Sequence, residues 1–143
     1  MIYYVGNIFS DFIKKKRSIT NLNDSAFNKI LNNSKLINEY KNITVISLGF
    51  GRQKKNNIFN SQIIEKIENI KFKYLNVLNV IFLKKIYSSY VLMYELVKNR
   101  NKLEIVIFYN PLLIYFPSII FCKIFNIKMI LDFEDGPLSS LYL

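Results

Sequence analysis

Five short runs of apolar, strand-forming residues punctuate the chain, at residues 2–5, 43–48, 70–75, 104–109 and 128–133. Most are continuously hydrophobic rather than alternating, as strands are when helices cover a parallel sheet on both faces. Between them lie segments with helical spacing. Over residues 25–40, Phe27, Ile30, Leu31, Leu36, Ile37 and Tyr40 recur close to the helical period, and Asn23 or Asp24 can cap the start. Ile63, Ile64 and Ile67 share helical spacing in a shorter segment. A long helix is predicted over residues 80–98, with polar positions confined to Lys84, Lys85, Ser88, Ser89 and Glu95. Another starts at Pro111, whose fixed φ suits a first helical turn, and reaches about Phe125. The alternation predicts one α/β domain spanning residues 1–143, a Rossmann-like doubly wound parallel sheet with right-handed crossovers. In doubly wound topology the first strand is central, and the five predicted strands lie in the order third, second, first, fourth, fifth.

The chain closes soon after the fifth strand, where a six-strand doubly wound domain would continue, so the sequence reads as a truncated unit. With 51% hydrophobic and 21% charged residues it has a globular composition. The 20 Lys and Arg against 10 Asp and Glu give a formal charge of +10, which attracts polyanions such as nucleic acid, anionic lipid or phosphorylated substrates. An AT-rich coding composition explains the same excess, since Lys, Asn, Ile, Phe and Tyr are abundant and Ala26 is the only alanine. The chain has no His, which excludes His bases and His-ligated metals. The single Cys122 permits no internal disulfide and suits a reducing cytosol. Residues 105–122 are long enough to span a bilayer, but Asn110, Pro111, Pro117 and Ser118 interrupt them, and a strand, turn and helix fit better.

In open parallel sheets, ligands bind beyond the carboxyl ends of the strands. That rule selects Gly6 and Asn7, Gly49 to Arg52, Asn76 and Asn79, Asn110 and Pro111, and the run Asp132, Phe133, Glu134, Asp135 and Gly136. All 4 glycines of the chain fall in these segments. Turns alone also call for Gly and Asn. The acidic run stands out because Asp132, Glu134 and Asp135 are three of the chain's 10 acids. A carboxylate at a strand end can act as general base toward a sugar hydroxyl, bind a metal, or hold Lys and Arg of a neighbouring loop. The basic segments at residues 14–17 and 52–55 can face a phosphorylated or lipid-linked acceptor or an anionic membrane, or form solvated loops. No GxGxxG follows the first strand, so a dinucleotide cofactor is not expected.

Residues 21–29 (NLNDSAFNK), 108–111 (FYNP), Pro117 and above all 131–136 (LDFEDG) carry a resemblance. The chain resembles the N-terminal, acceptor-binding domain of family 4 glycosyltransferases, the retaining GT-B group of bacterial surface-polysaccharide pathways. The resemblance covers nearly the whole chain but only the first part of such an enzyme. It implies transfer of a sugar from a nucleotide-sugar to a saccharide or lipid-linked acceptor, with the donor held by a C-terminal domain that this sequence lacks. No cofactor, metal or nucleic-acid partner is expected, and the expected location is cytoplasmic, with the basic segments and the apolar helix over residues 80–98 able to dock peripherally on an anionic membrane surface. Many relatives carry a His near the end of the fifth strand; here Glu134 and Asp135 stand in that neighbourhood. The expected catalytic residues are therefore Glu134 and Asp135, with Gly6, Asn7, Asn110 and Asp132 binding the acceptor. The alternative is a non-catalytic docking or interaction module, or the remnant of a split gene.

Overall fold

A computed structural model describes residues 1–20, 24–51, 59–80 and 83–134. Its elements run β1 (Ile2–Gly6), α1 (Asp11–Arg17), α2 (Asp24–Asn38), β2 (Ile43–Ser47), β3 (Phe59–Asn60), β4 (Ile63–Ile67), β5 (Ile70–Tyr74), β6 (Val77–Leu78), α3 (Leu83–Asn99), β7 (Ile105–Tyr109), α4 (Phe116–Ile124) and β8 (Lys128–Asp132). Six strands form one mostly parallel sheet in the order β4-β5-β2-β1-β7-β8, flanked by helices in a Rossmann-like arrangement. The five strands expected from the sequence occupy the expected order, with β1 in the middle. β1 pairs parallel to both β2 and β7, and β7 parallel to β8.

Alternate residues of each strand feed the two faces. Ile2 and Tyr4 join Val45, Phe72 and Tyr74 under α1 and α2. Tyr3 and Val5 join Ile46, Val106 and Phe108 under α3 and α4. Every residue of β1 is buried, which explains its unbroken apolar run. Cys122 lies in the second cluster, and burial pushes its thiol up to about 11, so it behaves as an inert core residue.

Several expectations are corrected. Residues 63–67 form a strand, not a helix. β4 lies antiparallel to β5 in a hairpin, so the sheet is mixed rather than wholly parallel. The hairpin turns at Glu68 and Asn69, both with positive φ, the backbone that a tight two-residue hairpin loop requires. Ile63, Glu65 and Ile67 share its more protected side, so the period here is two. The helix predicted from Pro111 starts instead at Phe116, with Pro117 in its first turn; a 3-10 turn at Leu113–Tyr115 precedes it. On α2 the buried positions are Ala26, Ile30, Leu31 and Ser34. Leu36 and Tyr40, expected on the same face, are 62% and 89% exposed.

The basic run at residues 14–17 is not a solvated loop. It lies in helix α1, capped by Ser10, whose hydroxyl accepts from the Ile13 amide. Lys14 and Arg17 are buried on its inner face. Lys14 pairs with Asp24 and Asp11. Arg17 donates to the carbonyls of Gly49 (2.8 Å), Ser61 (2.8 Å) and Leu75 (2.9 Å). It thereby ties the segments after β2 and β5 to α1. Gly49 has φ +69, and a Cβ there would lie 2.0 Å from the Arg17 guanidinium, so only glycine fits this anchorage. The second basic run, residues 52–55, lies outside the described residues.

Candidate functional site

Parallel strands bring their carboxyl ends to one side, and the register of β1, β7 and β8 sets what meets there. Tyr4 is level with Ile107, and Ile107 with Ile130. Asp132 stands two residues beyond Ile130 on the same face, level with Tyr109. The Tyr4 hydroxyl reaches diagonally across the sheet and donates to Asp132. Above it, α2 contributes Lys29, whose ammonium is 3.3 Å from Asp132 and 5.2 Å from the centre of the Tyr109 ring. One turn further along α2, the Asn33 amide donates to the Tyr4 hydroxyl at 3.3 Å. Burial, the bond to Asp132 and the negative charges of Asp132 and Glu134 hold the Tyr4 phenol above its ordinary range, with Asn33 opposing. Tyr4 therefore stays protonated and serves as a donor at neutral pH.

These polar groups close one end of a cleft of about 630 Å³ between α2 and β8. Its walls include Leu36, Ile37, Ile107, Ile130 and Phe133. Leu36, Ile130 and Phe133 are exposed because nothing among the described residues packs over this side of β8. Carboxylate, ammonium, phenol and amide grouped beside apolar walls suit a ligand with several hydroxyls and an apolar face.

The other expected site residues are distributed around this cluster. Asn110 has φ 41, a conformation that Asn tolerates better than most residues. Its backbone amide donates to the Asp132 carbonyl, and its side-chain oxygen accepts from the Glu134 amide, both at 2.8 Å. Asn110 thus fixes where β8 hands over to Glu134. Glu134 is exposed, and no ion pair engages its carboxylate among the described residues. Gly6 is explained by packing: a Cβ would come within 3.0 Å of the Ile30 side chain and 3.7 Å of Tyr109, so it lets α2 approach the sheet. Asn7 donates to the Phe50 carbonyl at 3.0 Å, while its side-chain oxygen is buried and, among the described residues, accepts nothing. Asp135 and Gly136 lie outside the described residues.

Sequence reasoning missed Tyr4, Lys29 and Asn33. Tyr4 lies inside a core strand, and the spacing of Lys29 and Asn33, one helical turn apart on α2, was the available signal. Lys29 also partly answers the alternative that the acidic run holds a cation, although the cation comes from a helix and not a loop. No group of three metal-ligating side chains comes together among the described residues. Compared with known protein families, curated proteins and solved structures, the chain finds no match.

Proposed function

We propose that this chain is the acceptor-binding half of a glycosyltransferase, and that the cleft between α2 and β8 receives a saccharide or lipid-linked acceptor whose hydroxyls meet Asp132, Tyr4 and Asn33. The observation that carries the reading is the cluster around Asp132: a carboxylate paired with Lys29 and bonded by Tyr4, at a strand end, beside an apolar-walled cleft. Glu134, exposed and next in sequence to the cleft residue Phe133, is the candidate general base for the reacting hydroxyl, because its carboxylate is not consumed by an ion pair with a described residue. Nothing among the described residues offers a glycine-rich phosphate loop. Gly6 ends β1, but the space beside it is taken by Ile30. Donor binding is therefore assigned to a second domain, so the reading requires two domains to meet over this face.

The purified chain, mixed with nucleotide-sugars and saccharide acceptors, should give no transfer, and adding a donor-binding domain should restore it. Transfer by the chain alone, with contamination excluded, would contradict this division. The alternative, a non-catalytic interaction module, predicts no saccharide binding at the cleft under any condition.

A further inference from the structure

The outer edge of the sheet carries a second feature, which does not depend on the transferase reading. Among the described residues β8 is an edge strand, paired only with β7. The Lys128 amide donates to the Glu104 carbonyl, and the Asp132 carbonyl accepts from the Asn110 amide. Both bonds point toward the β7 side. Backbone groups alternate sides along a strand, so Met129 and Leu131 turn their N–H and C=O outward, where no described strand meets them. Ile130 and Leu131 are exposed on opposite faces of this edge. An apolar edge with free backbone groups is a template for another strand.

The sequence of β8 says which strand fits. KMILD is complementary to itself reversed. Laid antiparallel on a second copy about Ile130, it sets Lys128 opposite the partner's Asp132, Met129 opposite the partner's Leu131, and Ile130 opposite the partner's Ile130. Met129 and Leu131 then exchange backbone bonds across the edge, as their outward groups require. Lys128, Ile130 and Asp132 fall in the intervening pairs, whose side chains stand closest. The neighbouring two-fold registers, centred on Met129 or Leu131, keep the backbone bonds but set Lys128 or Asp132 against Ile130. Both charges are open to the pairing. Lys128 is exposed and forms no ion pair among the described residues, and Asp132, though paired with Lys29, keeps 21% of its side chain accessible.

We propose that two copies of this chain associate through β8, antiparallel about a two-fold axis at Ile130, and join their six-stranded sheets into one. Both copies of α2 lie on the same face of the joined sheet. The carboxyl edges of the two copies point in opposite directions, and each Asp132 gains the partner's Lys128 as a second cation. One strand per copy makes a small interface, so the dimer forms at micromolar rather than nanomolar concentration.

Sedimentation velocity on the purified chain, over roughly 5 to 500 μM, tests this. The formal charge of +10 opposes self-association, so the salt is set near 0.15 M, where the screening length is about 8 Å. A reversible monomer–dimer equilibrium is expected. Lys128→Asp sets carboxylates against each other twice and should weaken the dimer by about tenfold or more. Lys15→Asp, the same change on the exposed side of α1, should shift it by less than about twofold. Asp132→Lys alone also sets like charges together. An equal mixture of the Lys128→Asp and Asp132→Lys chains, each shown folded by circular dichroism, restores both pairs and should recover a heterodimer. Ile130→Cys reads the register: the axis brings its two Cα atoms to about 4.5 Å, within disulfide reach, so mild oxidation should link it into dimers. Leu131→Cys, which faces Met129 instead of its own copy, should link far more slowly, and Cys122 is buried. A chain monomeric at every concentration, equal weakening by Lys15→Asp and Lys128→Asp, no recovery in the folded mixture, or equal linking through positions 130 and 131 would each overturn the proposal.

Discussion

Arg17→Ala should destabilise the chain by about 3–5 kcal/mol, the largest loss expected from any single polar residue described here. Arg17 is 1% exposed, and its guanidinium supplies donors to three carbonyls on three different segments. Burial, opposed by the neighbouring Tyr74, lowers its pKa to about 10, a sign of how far the charge is removed from water. Bonds to a charged donor are each worth about 1.5–3 kcal/mol, but truncation also relieves the buried charge, so the sum is discounted. What remains is chiefly the cost of leaving the carbonyls of Gly49 and Leu75 without partners in a dry interior. Arg17→Lys keeps the charge but cannot span all three acceptors with one ammonium, so it should fall between the two. Denaturant titration of the three proteins checks the order. A loss under about 1 kcal/mol for Arg17→Ala would show that water replaces the guanidinium and that the anchorage is dispensable.

The second large effect is on chemistry and leaves stability alone. In an enzyme reconstituted with a donor-binding domain, Glu134→Gln should lower turnover by about a hundredfold or more, the usual worth of a positioned general base. Folding should hold, within about 0.5 kcal/mol, because the side chain is exposed and the bond to Asn110 comes from the Glu134 backbone amide. If the acidic run were only a structural ion-pair loop, the pattern would invert, with a lower melting temperature and an unchanged rate. Asp132→Asn makes a useful contrast. It disturbs the partly exposed pair with Lys29, worth at most about 1 kcal/mol, and it weakens the acceptor for Tyr4. Its main consequence should therefore be poorer saccharide binding.

Much of the architecture was legible because buried parallel strands announce themselves. β1, β2, β5, β7 and β8 are apolar runs between turn residues, and topology rules then fixed their order. β4 was not legible: Ile63, Ile64 and Ile67 satisfy a helical spacing, while the deciding signal was the turn at Glu68 and Asn69 that returns the chain antiparallel to β5. Helix α1 was missed because four consecutive cations look solvated, yet a helix separates them: Lys15 and Lys16 face water, while Lys14 and Arg17 turn inward. The α4 boundary was misplaced because Pro117 as well as Pro111 can open a helix, and here the second one does. At the site, topology sends Gly6, Asn110, Glu134 and Asp135 to one edge; Asn110 bonds to the backbone of Asp132 and Glu134, and Asp135 lies outside the described residues. The partners of Asp132 were invisible, because Tyr4 and Asp132 are separated by 128 positions in sequence and only the register of three strands brings them together. Asymmetry in coverage was equally hidden. The pattern of β8 reads as a fully buried strand, yet Ile130 and Leu131, on opposite faces, are both exposed.

The central claim is that the cleft beside β8 binds a saccharide through the groups around Asp132. Amide chemical-shift mapping on the isotopically labelled chain, titrated with oligosaccharide acceptors, tests it most directly. Saturable shifts centred on Tyr4, Asn33, Asn110, Asp132 and Glu134 are expected, lost in Asp132→Asn while the rest of the spectrum stays folded. Shifts that are absent at millimolar saccharide, or that fall elsewhere and survive Asp132→Asn, would contradict it.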